Sequence, residues 1–373
     1  MKAVAPVSDE ERARDLVLRH GWNATSYQIL NPGISHWFSS LGDAVLGYAR
    51  FHGVYVVAGA PVCGAERLGG VVDEFERQVR AEGSHVCYFG AEGRLEQLLR
   101  REPGRAFVLL GAQPAWHPGA WTRIVASHAS LRAQIQRARH KGVEVSEWSA
   151  ARARGRADLW RCLREWGATR GLPPMHFLVE PRTLDRLEDR RVFVAERAGF
   201  GVVGFLLASP VPTRRGWLVE QIIRGHAAPN GCNELLIDTA MRVFEGEGAG
   251  YVTLGLSPLS RRARLDETVN PRWLRFVLAW VRAHGRRFYN FDGLDAFKAK
   301  LDPERWEPVY AIADARRVLP RTLFAIASAF SGGSPVAFVA RAVLGAARME
   351  AVWALESWTV GQSDSRTARQ SDS

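Results

Sequence analysis

Two short stretches in the second half of this 373-residue chain carry residue types that could do polar chemistry together. The first is VEQIIRGHAAPNGCNELL. A Val- and Ile-rich strand there would deliver Glu220, Gln221 and Arg224, and a Pro229–Asn230–Gly231 turn would then open a helix. Asn230 suits the N-cap of that helix, so its start would present unpaired backbone N–H groups and partial positive charge. Such a spot holds a carboxylate, a phosphate or a developing oxyanion. Glu234 follows in the first helical turn. The second stretch is FYNFDGLDAFKAKLDPERWEPVY, in which Lys298 and Lys300 stand near Tyr289, Phe291 and Phe297. Two ammonium groups beside aromatic rings suit an anionic, partly apolar ligand.

Other patterns lead away from chemistry. Gly199, Gly201 and Gly204 spell GxGxxG, but a dinucleotide site needs a helix to open inside the motif, and FLLASPV continues as a strand. The glycines fit a hairpin turn. Ser257 in GLSPL does not sit in a GxSxG elbow, and no HExxH occurs. Ten histidines are scattered, and Cys63, Cys87, Cys162 and Cys232 form no CxxC pair, so neither a metal site nor a disulfide framework is expected.

The elements that would carry these residues alternate. Residues 53–62 and 84–90 read as strands around a helix at 66–82, whose apolar stripe is Leu68, Val71, Val72, Phe75 and Val79. A short helix at 91–100 and a strand at 105–111 complete a first α/β half ending near 125. In the second half a helix at 156–170 precedes strands at 190–197, 201–211 and 216–225. A helix at 232–247, a strand at 250–259 and a mostly helical piece at 272–284 follow. Strands, then a helix entered through a loop, then a strand is the order of an N-acetyltransferase-like fold. The expected class is α/β (α+β): two such domains in tandem, 1–125 and 143–318, joined by a long basic helix at 126–142. After Pro320 come two short apolar helices broken at Gly332–Gly333. This 319–358 segment would dock on its own domain or lie in a membrane interface, and 359–373 would be disordered.

Charge adds a partner class. The chain carries +11 formally, and residues 121–170 hold ten arginines and Lys141 against four acids. A concentrated basic zone suits a polyanion, either nucleic acid or an anionic membrane surface, or is simply a solvated helix face. No stretch reaches the ~18 apolar residues of a membrane span, and the N-terminus lacks the apolar core of a signal peptide. A soluble, cytoplasmic protein is the expectation.

Several stretches together resemble the catalytic domain of the lysyl-phosphatidylglycerol synthases, the aminoacyl-tRNA-dependent lipid aminoacyltransferases. They are APNG (228–231) with Glu234, LGLSPLS (254–260), FYNFDGLDAFKAKLDP (288–303), WEPVY (306–310) and the basic LRAQIQRARHKG (131–142). The likeness runs from about residue 30 to about 333. It implies a tandem N-acetyltransferase-like fold and transfer of an amino acid from aminoacyl-tRNA to a lipid hydroxyl, with no cofactor besides that co-substrate. It also implies roles. Arg132, Arg137, Arg139 and Lys141 would contact tRNA phosphates. Arg224, Lys298 and Lys300 would bind the acceptor phosphate or the tRNA terminus, beside Tyr289. Glu220, Gln221 and Glu234 would recognise the amino group. The family has an acid three residues before its strand arginine, where this chain has Gln221, and an amide neither holds an ammonium as strongly nor acts as a base. Glu220 also reads as a strand-face salt-bridge partner. Without the family's flippase module, the chain would reach lipid peripherally on the inner face of the cell membrane, through its basic surface and 319–358. A soluble acceptor, a CoA-dependent N-acyltransferase and a silent binding module are the other readings.

Overall fold

The computed structural model describes residues 8–169, 173–260, 262, 291–338 and 340–341. It opens with α1 (Asp9–His20), which the reading above does not anticipate although its signal is local. Ser8 and Glu11 form a capping box in which each side chain bonds the other's backbone N–H. β1 (Ser35–Phe38), β2 (Val45–Phe51) and β3 (Val54–Ala58) then form an antiparallel meander. α2 (Leu68–Ala81) crosses over and buries the expected stripe, and β4 (His85–Ala91) returns parallel to β3. α3 (Gly93–Leu99), the long β5 (Ala106–Trp116), α4 (Trp121–Ser127) and the basic α5 (Ala129–His140) follow.

The second half repeats the motif. After β6 (Val143–Trp148), α6 (Ala150–Ala153) and α7 (Ala157–Ala168), an antiparallel run of β7 (Arg191–Arg197), β8 (Gly201–Val211) and β9 (Gly216–Arg224) leads into α8 (Cys232–Gly246). β10 (Tyr251–Thr253) then pairs parallel to β9. Gly199 and Gly201, both at positive φ, make the β7–β8 turn, so the GxGxxG glycines serve a hairpin.

Two departures matter. The strand expected at 250–259 stops at Thr253. Gly255 turns at φ +68, and the chain leaves β9 to pair through β11 (Ser257–Pro258) with β5. This approach requires Gly111 in β5, because a Cβ there would lie 2.2 Å from the Ser257 carbonyl oxygen. The second departure follows α9 (Phe291–Lys300). β12 (Arg305–Ala313), which local sequence groups with the second half, lies between β4 and β5 and pairs with both. One twelve-stranded mixed sheet results, in the order β1-β2-β3-β4-β12-β5-β10-β9-β8-β7-β6 with β11 beside β5.

Last comes α10 (Pro320–Ser331). It docks on the chain's own sheet: Ala325 and Ala329 join the core of Val54, Val56 and Ala58, and Phe330 meets Phe89 and Phe177 edge-on. It ends at Gly332, φ +70, where the break was expected. Residue 339, residues 342–358, the tail 359–373 and the helical piece at 272–284 lie outside the described residues. Among the described residues no helix is long and apolar enough to cross a membrane.

Candidate active site

β9 and β10 pair only from Gly216↔Tyr251 to Leu218↔Thr253. Beyond that the strands part. Val219–Arg224 keep β8 as partner, while 254–260 veer to β5. The register of β9 also slips there: Leu207 faces Gln221 and Ala208 faces Val219, so Glu220 is the extra residue of a bulge. The result is a wedge between β9 and the 254–260 segment, with the start of α8 and the end of α9 along it. Ile222, Ala227, Ala228, Leu254 and Phe297 pack half-buried against the core beneath it.

Cations and orphaned polar atoms collect here. Lys298 is 5% exposed and its Nζ donates to the Gly255 and Leu256 carbonyls at 2.8 and 2.9 Å. Burial pushes its ammonium down to about 7, against the opposing pull of Asp295. Lys300, one helical position pair further on, reaches across to α8 and donates to Glu234 at 3.0 Å. The two lysines thus sit on a helix, one buried and one half-exposed, and both are engaged. Arg224 ends β9 exposed, without an ion pair among the described residues, and near enough to Cys232 to favour its thiolate while burial pushes that thiol up to about 12. Asn233 Oδ1, Ser257 Oγ and Asp295 Oδ1 are buried with no hydrogen-bond partner among the described residues. An unmade buried hydrogen bond costs roughly 1–3 kcal/mol. Three such atoms lie on the segments that border one wedge, and three others, Ser26 Oγ, Gln28 Oε1 and Trp148 Nε1, lie elsewhere.

The start of α8 corrects the expected cap. Gly231, at φ +94, occupies the N-cap position with no side-chain cap bond, and Asn230 is exposed beside it. The physical reason is α5: a Cβ on residue 231 would come within 2.0 Å of the Gln134 carbonyl oxygen. Only glycine permits both the conformation and the approach. Gly231→Ala should therefore lower stability by about 1–3 kcal/mol, read as a fall in urea midpoint. An unchanged midpoint would count against this packing.

The remaining expected residues part company. Glu220 faces away from α8, with its carboxylate held by Arg190 at 3.1 and 3.2 Å and by Gln28 Nε2 at 2.8 Å. Gln221 accepts from Thr183 Oγ1 at 2.8 Å and donates to the Glu180 and Pro181 carbonyls, tying the 176–186 loop to β9. Neither sequence spacing nor motif signals these partners. On α5, Arg132 turns back to donate to the Val125 and Ala126 carbonyls at the end of α4, and Arg139 pairs with the buried Asp238 at 3.1 Å. Arg137 and Lys141 are exposed without ion pairs among the described residues. Tyr289 lies outside the described residues.

Comparison with known proteins agrees with this architecture. The profile described as Phosphatidylglycerol lysyltransferase, C-terminal, matches residues 14–313. The chain belongs to this family. Over 331 residues it is 25% identical to the phosphatidylglycerol lysyltransferase of Bacillus subtilis (strain 168), covering 87% of this chain and 37% of the relative. Over 329 residues it is 24% identical to the lysylphosphatidylglycerol biosynthesis bifunctional protein LysX of Mycobacterium sp. (strain JLS), covering 84% and 29%. The chain thus spans well under half the length of either. Among solved structures, the C-terminal domain of a putative lysylphosphatidylglycerol synthetase from Agrobacterium fabrum superimposes with TM-score 0.74 at 23% identity, covering 87% of this chain and 98% of that one. The L-PGS of Bacillus licheniformis gives 0.72 at 21%, covering 88% and 98%. The family fold is that of the mixed α/β sheet described above.

Proposed function

We propose that this chain moves an aminoacyl group from aminoacyl-tRNA to a hydroxyl on an anionic phospholipid headgroup, with phosphatidylglycerol the first acceptor to test. The wedge carries the reading: it brings a buried, weakly basic amine, an unpaired arginine and orphaned polar atoms to the place where a parallel strand pair opens. The names of the two curated relatives support the same acceptor class.

The chemistry asks little of the protein, because an aminoacyl ester is already activated. The acceptor hydroxyl oxygen attacks the ester carbonyl carbon, and its proton passes to a base. The tetrahedral oxyanion then collapses, expelling the ribose oxygen of the tRNA end, which takes that proton. A neutral lysine amine has two N–H donors and one lone pair. Lys298 spends its two donors on Gly255 and Leu256, which leaves the lone pair to accept the proton. Arg224 would bind the acceptor phosphate, and Lys300 with Glu234 would orient the amino group. The zone of α5, through Arg137 and Lys141, would meet tRNA phosphates.

The direct test is incubation with total aminoacylated tRNA, each amino acid labelled in turn, and phosphatidylglycerol vesicles. Label in the organic phase that is abolished by RNase supports the proposal. Label in a water-soluble product, or transfer requiring acyl-CoA, would replace it. Arg224→Ala should raise KM for the lipid about tenfold or more, as loss of a charge-assisted phosphate contact implies, with little change in kcat. A lipid KM equal to wild type would remove Arg224 from the acceptor site.

A further inference from the structure

We propose that the tip of the β7–β8 hairpin, Phe200 with Arg197, is a stacking site for an unpaired RNA base; this rests on aminoacyl-tRNA being the donor. Phe200 is 55% exposed on a turn built from two glycines at positive φ. It is nevertheless held in place. The Arg197 guanidinium lies over one face, 4.2 Å from the centroid. The same guanidinium donates from Nε to the Lys141 carbonyl at 3.2 Å and from Nη1 to the Ala227 carbonyl at 3.1 Å. A backbone bond from Ala198 N to the Gly142 carbonyl closes the contact.

These bonds join three pieces: the hairpin tip, the C-terminal end of basic α5, and the loop that runs from Ala227 into α8 at the wedge. The guanidinium that covers the ring is therefore tied both to the end of the helix whose Arg137 and Lys141 head groups are unpaired among the described residues and to the loop that leads into the candidate active site. The hairpin tip itself, residues 197–203, carries no acid, and Glu196 on the strand is paired with Arg152. Positive charge with a pre-ordered aromatic platform is the combination that binds single-stranded nucleic acid, in which the base stacks and the backbone follows the cations. A lipid surface is the less fitting occupant, because one ring bonded tightly to a guanidinium inserts little apolar area.

The test uses the full chain with two probes, deacylated tRNA and a short single-stranded RNA, with affinity measured at several salt concentrations. Phe200→Ala should weaken both by about tenfold without altering the slope of log K against log salt, and Phe200→Trp should restore binding. Lys141→Ala should instead reduce that slope by about one. Wild-type affinity in Phe200→Ala would overturn the inference, as would loss of phosphatidylglycerol vesicle binding with RNA binding intact. If the wild-type chain binds neither RNA, the aminoacyl-tRNA donor falls with it. Binding by wild type and Phe200→Ala alike sinks the stacking site alone.

Discussion

Replacing Lys298 with methionine should lower transfer by at least about 100-fold, the scale of a lost general base, and should flatten the pH profile. In the wild type the rate is expected to climb through about pH 7, where burial has brought the Lys298 ammonium, and to level off once the amine is neutral. Stability supplies an independent check with a definite sign. In the unfolded chain this lysine stays protonated to its ordinary pKa of about 10.4. Between pH 7 and that value the unfolded state therefore binds one proton more than the folded state, and stability rises with pH. Below pH 7 the burial penalty is present in full. Urea midpoints measured from pH 6 to pH 9 should thus rise for wild type relative to Lys298→Met. The aliphatic stem of methionine fills most of the same space, so the variant should remain folded. A wild-type rate in Lys298→Met would exclude Lys298 as the base, and parallel midpoints across the pH range would exclude a neutral amine at this position.

The parts of the molecule visible in sequence are those encoded locally. Valine-rich runs and the Leu68–Val79 stripe signal β3, β4 and α2 because periodicity is a property of adjacent residues. The order of strands around α8 is legible for the same reason. Long-range pairing is not. β12 slots between β4 and β5 by backbone bonds to residues some two hundred positions earlier, and no local signal encodes that choice. The break after Thr253 depends on Gly255 and on the room Gly111 makes for Ser257, two glycines far apart in sequence. Among site residues, Lys300 meets Glu234 because α9 and α8 converge, while Lys298 on the same helix turns to the Gly255 and Leu256 carbonyls, a division that residue types alone do not signal. Asn230 suggests a cap because its side chain suits one. The close approach of α5 decides for Gly231 instead. Glu220 shows the same limit most plainly, since its partner Arg190 lies thirty residues upstream on the loop entering β7.

That pair carries the second large prediction. Arg190 and Glu220 side chains are 3% and 7% exposed, and their bonds reach well beyond each other. Arg190 Nη1 donates to the Arg186 carbonyl at 2.7 Å, its guanidinium lies 4.8 Å from the Tyr27 ring centroid, and Gln28 shares its Nε2 between Glu220 and Ser209. Nearby, Asp189 receives Tyr27 and both Nε and Nη2 of Arg14. The network therefore ties residues 14–31 of the first half to 186–220 of the second, directly behind the bulge that shapes the wedge. Removing one charge strands the other in a low-dielectric site, so Arg190→Met should cost about 3–5 kcal/mol. Removing both should cost much less: Arg190→Met with Glu220→Gln leaves neutral groups that Gln28 can still satisfy. A double-mutant cycle on urea midpoints should accordingly show strong positive coupling between the two positions. If Glu220 instead bound the substrate's ammonium, Glu220→Gln would lower transfer while leaving stability intact. The buried pairing predicts the reverse order, with stability falling first and the pH profile set by Lys298 unchanged in whatever fraction stays folded. Additive losses in the cycle would mean the contact seen between these side chains contributes nothing to stability.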